Sequence, residues 1–172
     1  MKTIFVTLVL STTIITMNAQ NKNSLLNEWK GNYGGVPAFD QYKVSDMKEA
    51  LEVAMKEKLD EVNAIANNKK PATFANTIAA LEKVGKKLSR VYAVYGIYSS
   101  NLNSADFEPI EAEMEPKLAE ISDKITQNTK LFKRIESVYK SKDKLKLTKE
   151  QKRLVQVYYE RYVYDGDRKS VV

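Results

Sequence analysis

From Ser45 onward, apolar residues return every third or fourth position, the spacing that gathers them on one side of an α-helix. Met47, Ala50, Leu51, Ala54, Met55, Leu59, Val62 and Ile65 form the first stripe, with Lys48, Glu49, Glu52, Lys56, Glu57 and Asp60 between them. The pattern predicts a helix over 45–67. Ser45 is expected to open it by accepting a backbone N–H bond, Asp46 suits the positive end of its dipole, and Asn67-Asn68 marks the exit before Pro71 enforces a turn.

A second stripe, Phe74, Ile78, Leu81, Val84, Leu88, Val91, Tyr92 and Tyr95, predicts one helix over 73–99 capped by Thr73. Gly85 and Gly96 fall inside it, each at about 1 kcal/mol relative to alanine, which marks both as expected points of close helix contact. The third helix is expected over 104–127, with Ser104 as cap and Phe107, Ile110, Met114, Leu118, Ile121 and Ile125 facing inward. Pro109 is tolerated near its first turn, but Pro116 removes an interior hydrogen bond and predicts a kink or break around Glu113 to Glu115. Asn128 caps a fourth helix, 128–141, carrying Leu131, Phe132, Ile135, Val138 and Tyr139. A fifth, 148–164, opens on Thr148-Lys149-Glu150-Gln151, which has the form of a capping box. No period-two alternation survives after the first 19 residues, so the fold class is all-α, a multi-helix antiparallel bundle with short connections.

The chain before these helices has a different character. Residues 1–19 carry Lys2, an apolar run from Ile4 to Leu10, then Ile14-Ile15 and Ala19, the pattern of a secretory signal peptide and too short for a spanning helix. The expected location is outside the cytoplasm, in a periplasm, with no membrane attachment after cleavage; Met17 at a position that favours a small residue leaves an uncleaved anchor as the alternative. Residues 20–44 read as an irregular lead-in loop. The word Glu28-Trp29-Lys30-Gly31-Asn32-Tyr33-Gly34-Gly35-Val36-Pro37-Ala38-Phe39-Asp40 holds half of the six glycines and the only tryptophan, so its backbone follows a specific path. Its role is either packing or lining a cleft where it touches substrate or another lobe.

Composition narrows the chemistry. The chain has no cysteine, so neither disulfides nor a lipid anchor at the signal are available, and helix packing carries the stability. It has no histidine either, which removes most ways of building a catalytic zinc site. No residue is therefore assigned as catalytic, cofactor-binding or metal-ligating. Glu108, Glu111, Glu113 and Glu115 cluster near a helix start, where the dipole already favours acids, and are read as a solvated face rather than a metal site. The formal charge of +6 is modest, and its densest contribution, Lys140, Lys142, Lys144, Lys146, Lys149, Lys152 and Arg153, is interrupted by Asp143 and Glu150. It reads as a solvated connector between two helices; nucleic acid is not an expected partner of an exported chain. Tyr92, Tyr95 and Tyr98 are read as packing residues, with stacking on a ligand as the alternative.

The order of motifs resembles the N-terminal region of the bacterial peptidyl-dipeptidases, within the thimet oligopeptidase family of zinc metallopeptidases. The resemblance runs from about Asn23 to Val163 and rests on Asn27-Glu28-Trp29-Lys30-Gly31, Tyr33-Gly34-Gly35-Val36-Pro37, Ile65-Ala66-Asn67-Asn68, Thr73-Phe74, Asn76-Thr77-Ile78-Ala79-Ala80-Leu81-Glu82, Pro116-Lys117-Leu118-Ala119, Arg134-Ile135 and Arg153-Leu154-Val155. It implies a two-lobed, mostly helical enzyme whose zinc lies in the C-terminal half, on a His-Glu-x-x-His helix completed by a later glutamate. Zinc there lowers the pKa of its bound water and polarises the scissile carbonyl. The activity implied is release of dipeptides from the C-termini of short peptides. The present chain has no residue onto which a ligand or general base can be carried. Its implied role is one wall of the substrate channel, its partners the C-terminal catalytic half and short peptides. Similarity fades after Val163 and the tail 165–172 is unmatched, so the expectation is a fragment, inactive alone, with an apolar face left exposed for its other half. The alternative is a free-standing helical periplasmic binding or interaction protein without enzymatic activity.

Overall fold

The stripes predict where a core forms, and the computed structural model, which describes residues 22–31 and 35–165, places them there. The expected signal segment at 1–19 and the tail from 166 on lie outside the described residues, as do Asn32, Tyr33 and Gly34 of the lead-in loop. A 3₁₀ turn at Ser24–Leu26 is followed by α1 (Asp46–Ala66), a π-helical turn (Phe74–Ile78) that runs into the short α2 (Ala79–Leu81), α3 (Lys86–Ser100), α4 (Glu108–Thr126), α5 (Thr129–Ser141) and α6 (Lys149–Asp165). Among the described residues there is no strand, and no helix is long and apolar enough to cross a membrane. The fold is an all-α bundle.

α1 is its axis, with α3, α4 and α5 packed around it and α6 against α5. Met47, Ala50, Leu51, Ala54 and Val62, all from the first stripe, are at most 1% exposed. Burying each of the larger ones contributes about 1.5–3 kcal/mol of transfer free energy. Opposite them lie Val91, Val94 and Tyr95 of α3, Met114 of α4, and Leu131, Ile135 and Val138 of α5.

Several expectations about helix ends hold. Thr73 and Asn76 form a capping box, Thr73 Oγ1 accepting from the Asn76 N–H at 3.1 Å while Asn76 Oδ1 accepts from the Thr73 N–H at 2.8 Å. Asn128 Oδ1 accepts from the Leu131 N–H at 2.9 Å, and Thr148 and Gln151 exchange the same reciprocal bonds at 3.0 and 3.2 Å.

Others are corrected. The helix expected over 73–99 is divided, because Gly85 adopts φ +74 and interrupts the helix between Leu81 and Lys86. Gly85 does make the expected close contact, since a Cβ there would stand 2.9 Å from Lys58 Cδ, and its N–H donates to Glu61 of α1 at 2.7 Å. Gly96 makes none: nothing lies within 4 Å of its Cβ position, which falls off the buried Val91, Val94 and Tyr95 stripe. Ser45 is not a side-chain cap, because it is already αR; Asp46 instead folds back and its Oδ2 accepts from the Lys43 N–H at 2.8 Å. Ser104 serves α4 through its carbonyl, which accepts from Phe107 and Glu108 at 2.9 and 3.0 Å, so the helix starts at Glu108.

α4 also runs without a break through Pro116. The carbonyl that loses its donor belongs to Ala112, a residue exposed like Pro116 itself, where a missing intrahelical bond costs least. Within the expected lead-in, Leu25 and Leu26 are 4% and 6% exposed and join the core against α1 and α3.

Candidate functional site

The tryptophan-glycine loop folds back on itself at one residue. Gly35 has φ +83, and a Cβ there would fall 2.5 Å from the Lys30 nitrogen and 2.7 Å from the Trp29 carbonyl carbon, so only glycine fits without displacing backbone. Trp29 is thereby held partly buried against the core. Further along, Phe39 starts a row of rings: Phe39 to Tyr42 at 5.9 Å, Tyr42 to Tyr98 at 6.5 Å, Tyr98 to Phe107 at 5.6 Å, Phe107 to Tyr95 at 5.4 Å and Tyr95 to Tyr92 at 5.6 Å. The three tyrosines of α3 therefore pack within this row. Tyr95 is fully buried and donates to Glu115 at 2.7 Å, and burial first, then that carboxylate, raises its pKa; Tyr92 at the end of the row is exposed.

Beside the loop, where it meets α1 and the start of α3, lies an open cavity of about 530 Å³. Lys30, Lys83, Lys86 and Arg90 line it together with Glu57 and Glu61 of α1. Both acids are engaged: Glu57 pairs with Lys87, and Glu61 holds the Gly85 N–H. The four cations have no ion pair among the described residues, and the Nε of half-buried Arg90 is covered without a hydrogen-bond partner. Sequence reasoning missed this groove. Its signal was present, since Lys83, Lys86, Lys87 and Arg90 repeat at helical spacing.

The residues weighed from sequence are not brought together. Glu108 is exposed, Glu111 accepts from Ser99 at 2.5 Å, Glu115 serves Tyr95, and Glu113 bridges Lys48 at 2.7 Å and Lys117 at 2.9 Å. Those two lysines hold the Glu113 carboxyl below the usual carboxylate range. In the basic connector Asp143 sits 3.6 and 3.2 Å from Lys142 and Lys152, and Lys142 lies 4.0 Å above the Tyr139 ring. The donor set does not fit zinc: the chain offers no imidazole or thiolate, and no three acids among the described residues converge to hold a metal ion.

A different convergence is evident at the far end of α1. Arg134 of α5, 9% exposed, donates through Nη1 to the carbonyls of Asn68 and Lys70 at 2.8 and 2.9 Å, and through Nη2 to Asn76 Oδ1 at 2.9 Å and Thr77 Oγ1 at 3.3 Å. It closes the connection from α1 to the π-helical turn. Outward-facing apolar residues are found elsewhere, at Val36 and Phe39 of the loop and at Val157 and Tyr164 of α6.

This helical unit has known relatives. The sequence profile described as Neurolysin/Thimet oligopeptidase, N-terminal domain, matches residues 47–166, nearly all of α1 to α6. The chain belongs to that family. Within the neurolysin/thimet oligopeptidase family it is 33% identical over 130 residues to dipeptidyl carboxypeptidase of Escherichia coli (strain K12) and 32% identical over 130 residues to dipeptidyl carboxypeptidase of Salmonella typhimurium. Each match takes in 76% of this chain and 19% of the relative, so the chain spans about a fifth of those proteins. Asn68, Asn76, Thr77 and Arg134, among the residues on which the resemblance was drawn, all meet in the Arg134 clamp.

Proposed function

We propose that the chain is the N-terminal helical part of an exported zinc-dependent peptidyl-dipeptidase that releases dipeptides from the C-termini of short peptides. It forms one wall of the substrate channel and carries no catalytic residue. The observation that carries this reading is the family match across the helices, together with two relatives named dipeptidyl carboxypeptidase. Zinc, where the intact enzyme holds it, activates water for attack on the peptide carbonyl; its ligands come from outside this chain, which has no histidine. What this chain supplies is a rigid helical lobe whose shape restricts entry and excludes water when a second lobe approaches. Val157 and Tyr164, two turns apart on one side of α6, suit contact with that remainder.

The test begins with the coding sequence beyond codon 172. Expressed in continuity, it is expected to add a His-Glu-x-x-His segment and chelator-sensitive dipeptide release, while the 172-residue chain alone releases none. Dipeptide release by the purified short chain would overturn the reading; so would a stop followed by an unrelated gene, in favour of the free-standing binding protein. Export is checked by osmotic shock: a product beginning near residue 20 is expected in the periplasmic fraction, and an unprocessed chain in the cytoplasm contradicts it.

A further inference from the structure

Five cations, Lys30, Lys83, Lys86, Lys87 and Arg90, line the groove against the three carboxylates of Glu28, Glu57 and Glu61, an excess of positive charge that packing does not require. Lys86 and Arg90 are four residues apart on α3, so two like charges repel along one face. They also occupy the first turns, where the helix already presents its positive end and where α3 has no acidic residue. Lys30 and Lys83 approach from the loop and the turn before α3, while the facing acids Glu57 and Glu61 are engaged by Lys87 and the Gly85 N–H. Arg90 is only half-buried and has no ion pair among the described residues, which leaves its Nη groups to receive an oxyanion.

We propose that this groove binds an acidic peptide segment, with Arg90 as the carboxylate anchor and Lys86 as its neighbour. This rests on the peptidase reading for the choice of a peptide. Size and mixed lining agree with it: about 530 Å³ falls in the range of organic ligand sites and far exceeds one small oxyanion. Glu28 adds an acceptor for peptide N–H groups beside the four cations.

Trp29, the only tryptophan, lies between the two lining residues Glu28 and Lys30 and reports occupancy of the intact chain by its fluorescence. An acidic tetrapeptide of aspartate and glutamate should give a saturable change that weakens with salt. Arg90→Gln should weaken it about ten-fold and Lys86→Gln about three-fold, while Lys144→Gln, which removes equal charge from the distant connector, should leave it unchanged. Far-UV circular dichroism checks the fold, and exposed Lys86 decides if Arg90→Gln does not fold. The proposal is overturned if an amidated tetra-alanine binds equally well, if Lys144→Gln weakens binding as much as Lys86→Gln, if inorganic phosphate matches the peptide, or if nothing saturates. Acidic-peptide binding by a chain with no peptidase downstream would sink the peptidase reading alone. An active peptidase whose groove ignores such peptides would sink the groove alone.

Discussion

Arg134 on α5 donates to two backbone carbonyls and two side-chain oxygens of one connection, whereas Arg90 on α3, also partly covered, makes no side-chain hydrogen bond or ion pair to another described residue; Nε is unpartnered in both. The same residue type thus closes the fold just past the C-terminal end of α1 and stands open beside Glu57 and Glu61 of the same helix. At the Arg134 end, geometry is over-determined: the Thr73 and Asn76 capping box orients Asn76, and Asn76 in turn receives the guanidinium. Around Arg90, the glycine-held loop shapes a groove that keeps an excess of positive charge. Burial alone does not separate scaffold from site; the number of hydrogen bonds already committed does.

The sharpest way to break this contrast is to remove Arg134. Arg134→Ala removes four donated bonds at once and takes that donor from the Asn68 and Lys70 carbonyls, while Asn76 Oδ1 keeps the Thr73 N–H, and urea unfolding should show a loss of about 3–4 kcal/mol. Arg134→Lys should recover only part of it, since one ammonium cannot replace a fork that spans several acceptors. A loss under about 1 kcal/mol would mean that the clamp is ornamental. Next in size, Gly35→Ala drives a methyl into the Lys30 backbone and is expected to cost about 1–3 kcal/mol, with a shift in Trp29 emission that reports the displaced loop. Arg90→Gln should change stability by no more than about 0.5 kcal/mol, because nothing in the fold leans on the group it removes. A loss comparable to that of Arg134→Ala would erase the distinction between the two arginines.

The smallest effect concerns pH. Glu113 has its folded pKa lowered by Lys48 and Lys117, so its contribution is present above the unfolded carboxylate value of about 4.3 and is lost as pH falls through the lowered folded value. Wild type should exceed Glu113→Gln slightly in urea midpoint at pH 7, and the two should coincide at about pH 2.

Much of this was legible in the chain. The apolar stripes named most core residues of α1, α4 and α5, but the second stripe left out buried Val94 and included exposed Tyr92; Thr73, Asn128 and Thr148 were readable as caps because each meets its partner within three residues. Ser45 and Ser104 were not, since whether a hydroxyl or a carbonyl takes the first N–H depends on the angle at which the preceding chain arrives. The break at Gly85 depends on Glu61 and Lys58, residues of another helix. The break expected at Pro116 is absent because α4 continues past it to Thr126, at a position where Ala112, whose carbonyl loses its donor, is exposed. The groove escaped for a related reason: helical spacing displays its lysines, but the cavity exists only because a loop some fifty residues earlier returns to them.

The row of rings from Phe39 to Tyr92 carries one more implication. Rings in contact along this row couple the loop, the middle of α3 and the start of α4, which are expected to open as one unit although they lie far apart in the chain. Amide hydrogens around Tyr42, Tyr98 and Ile110 should accordingly exchange with one shared free energy of opening, and Phe107→Ala, at the centre of the row, should release all of them together.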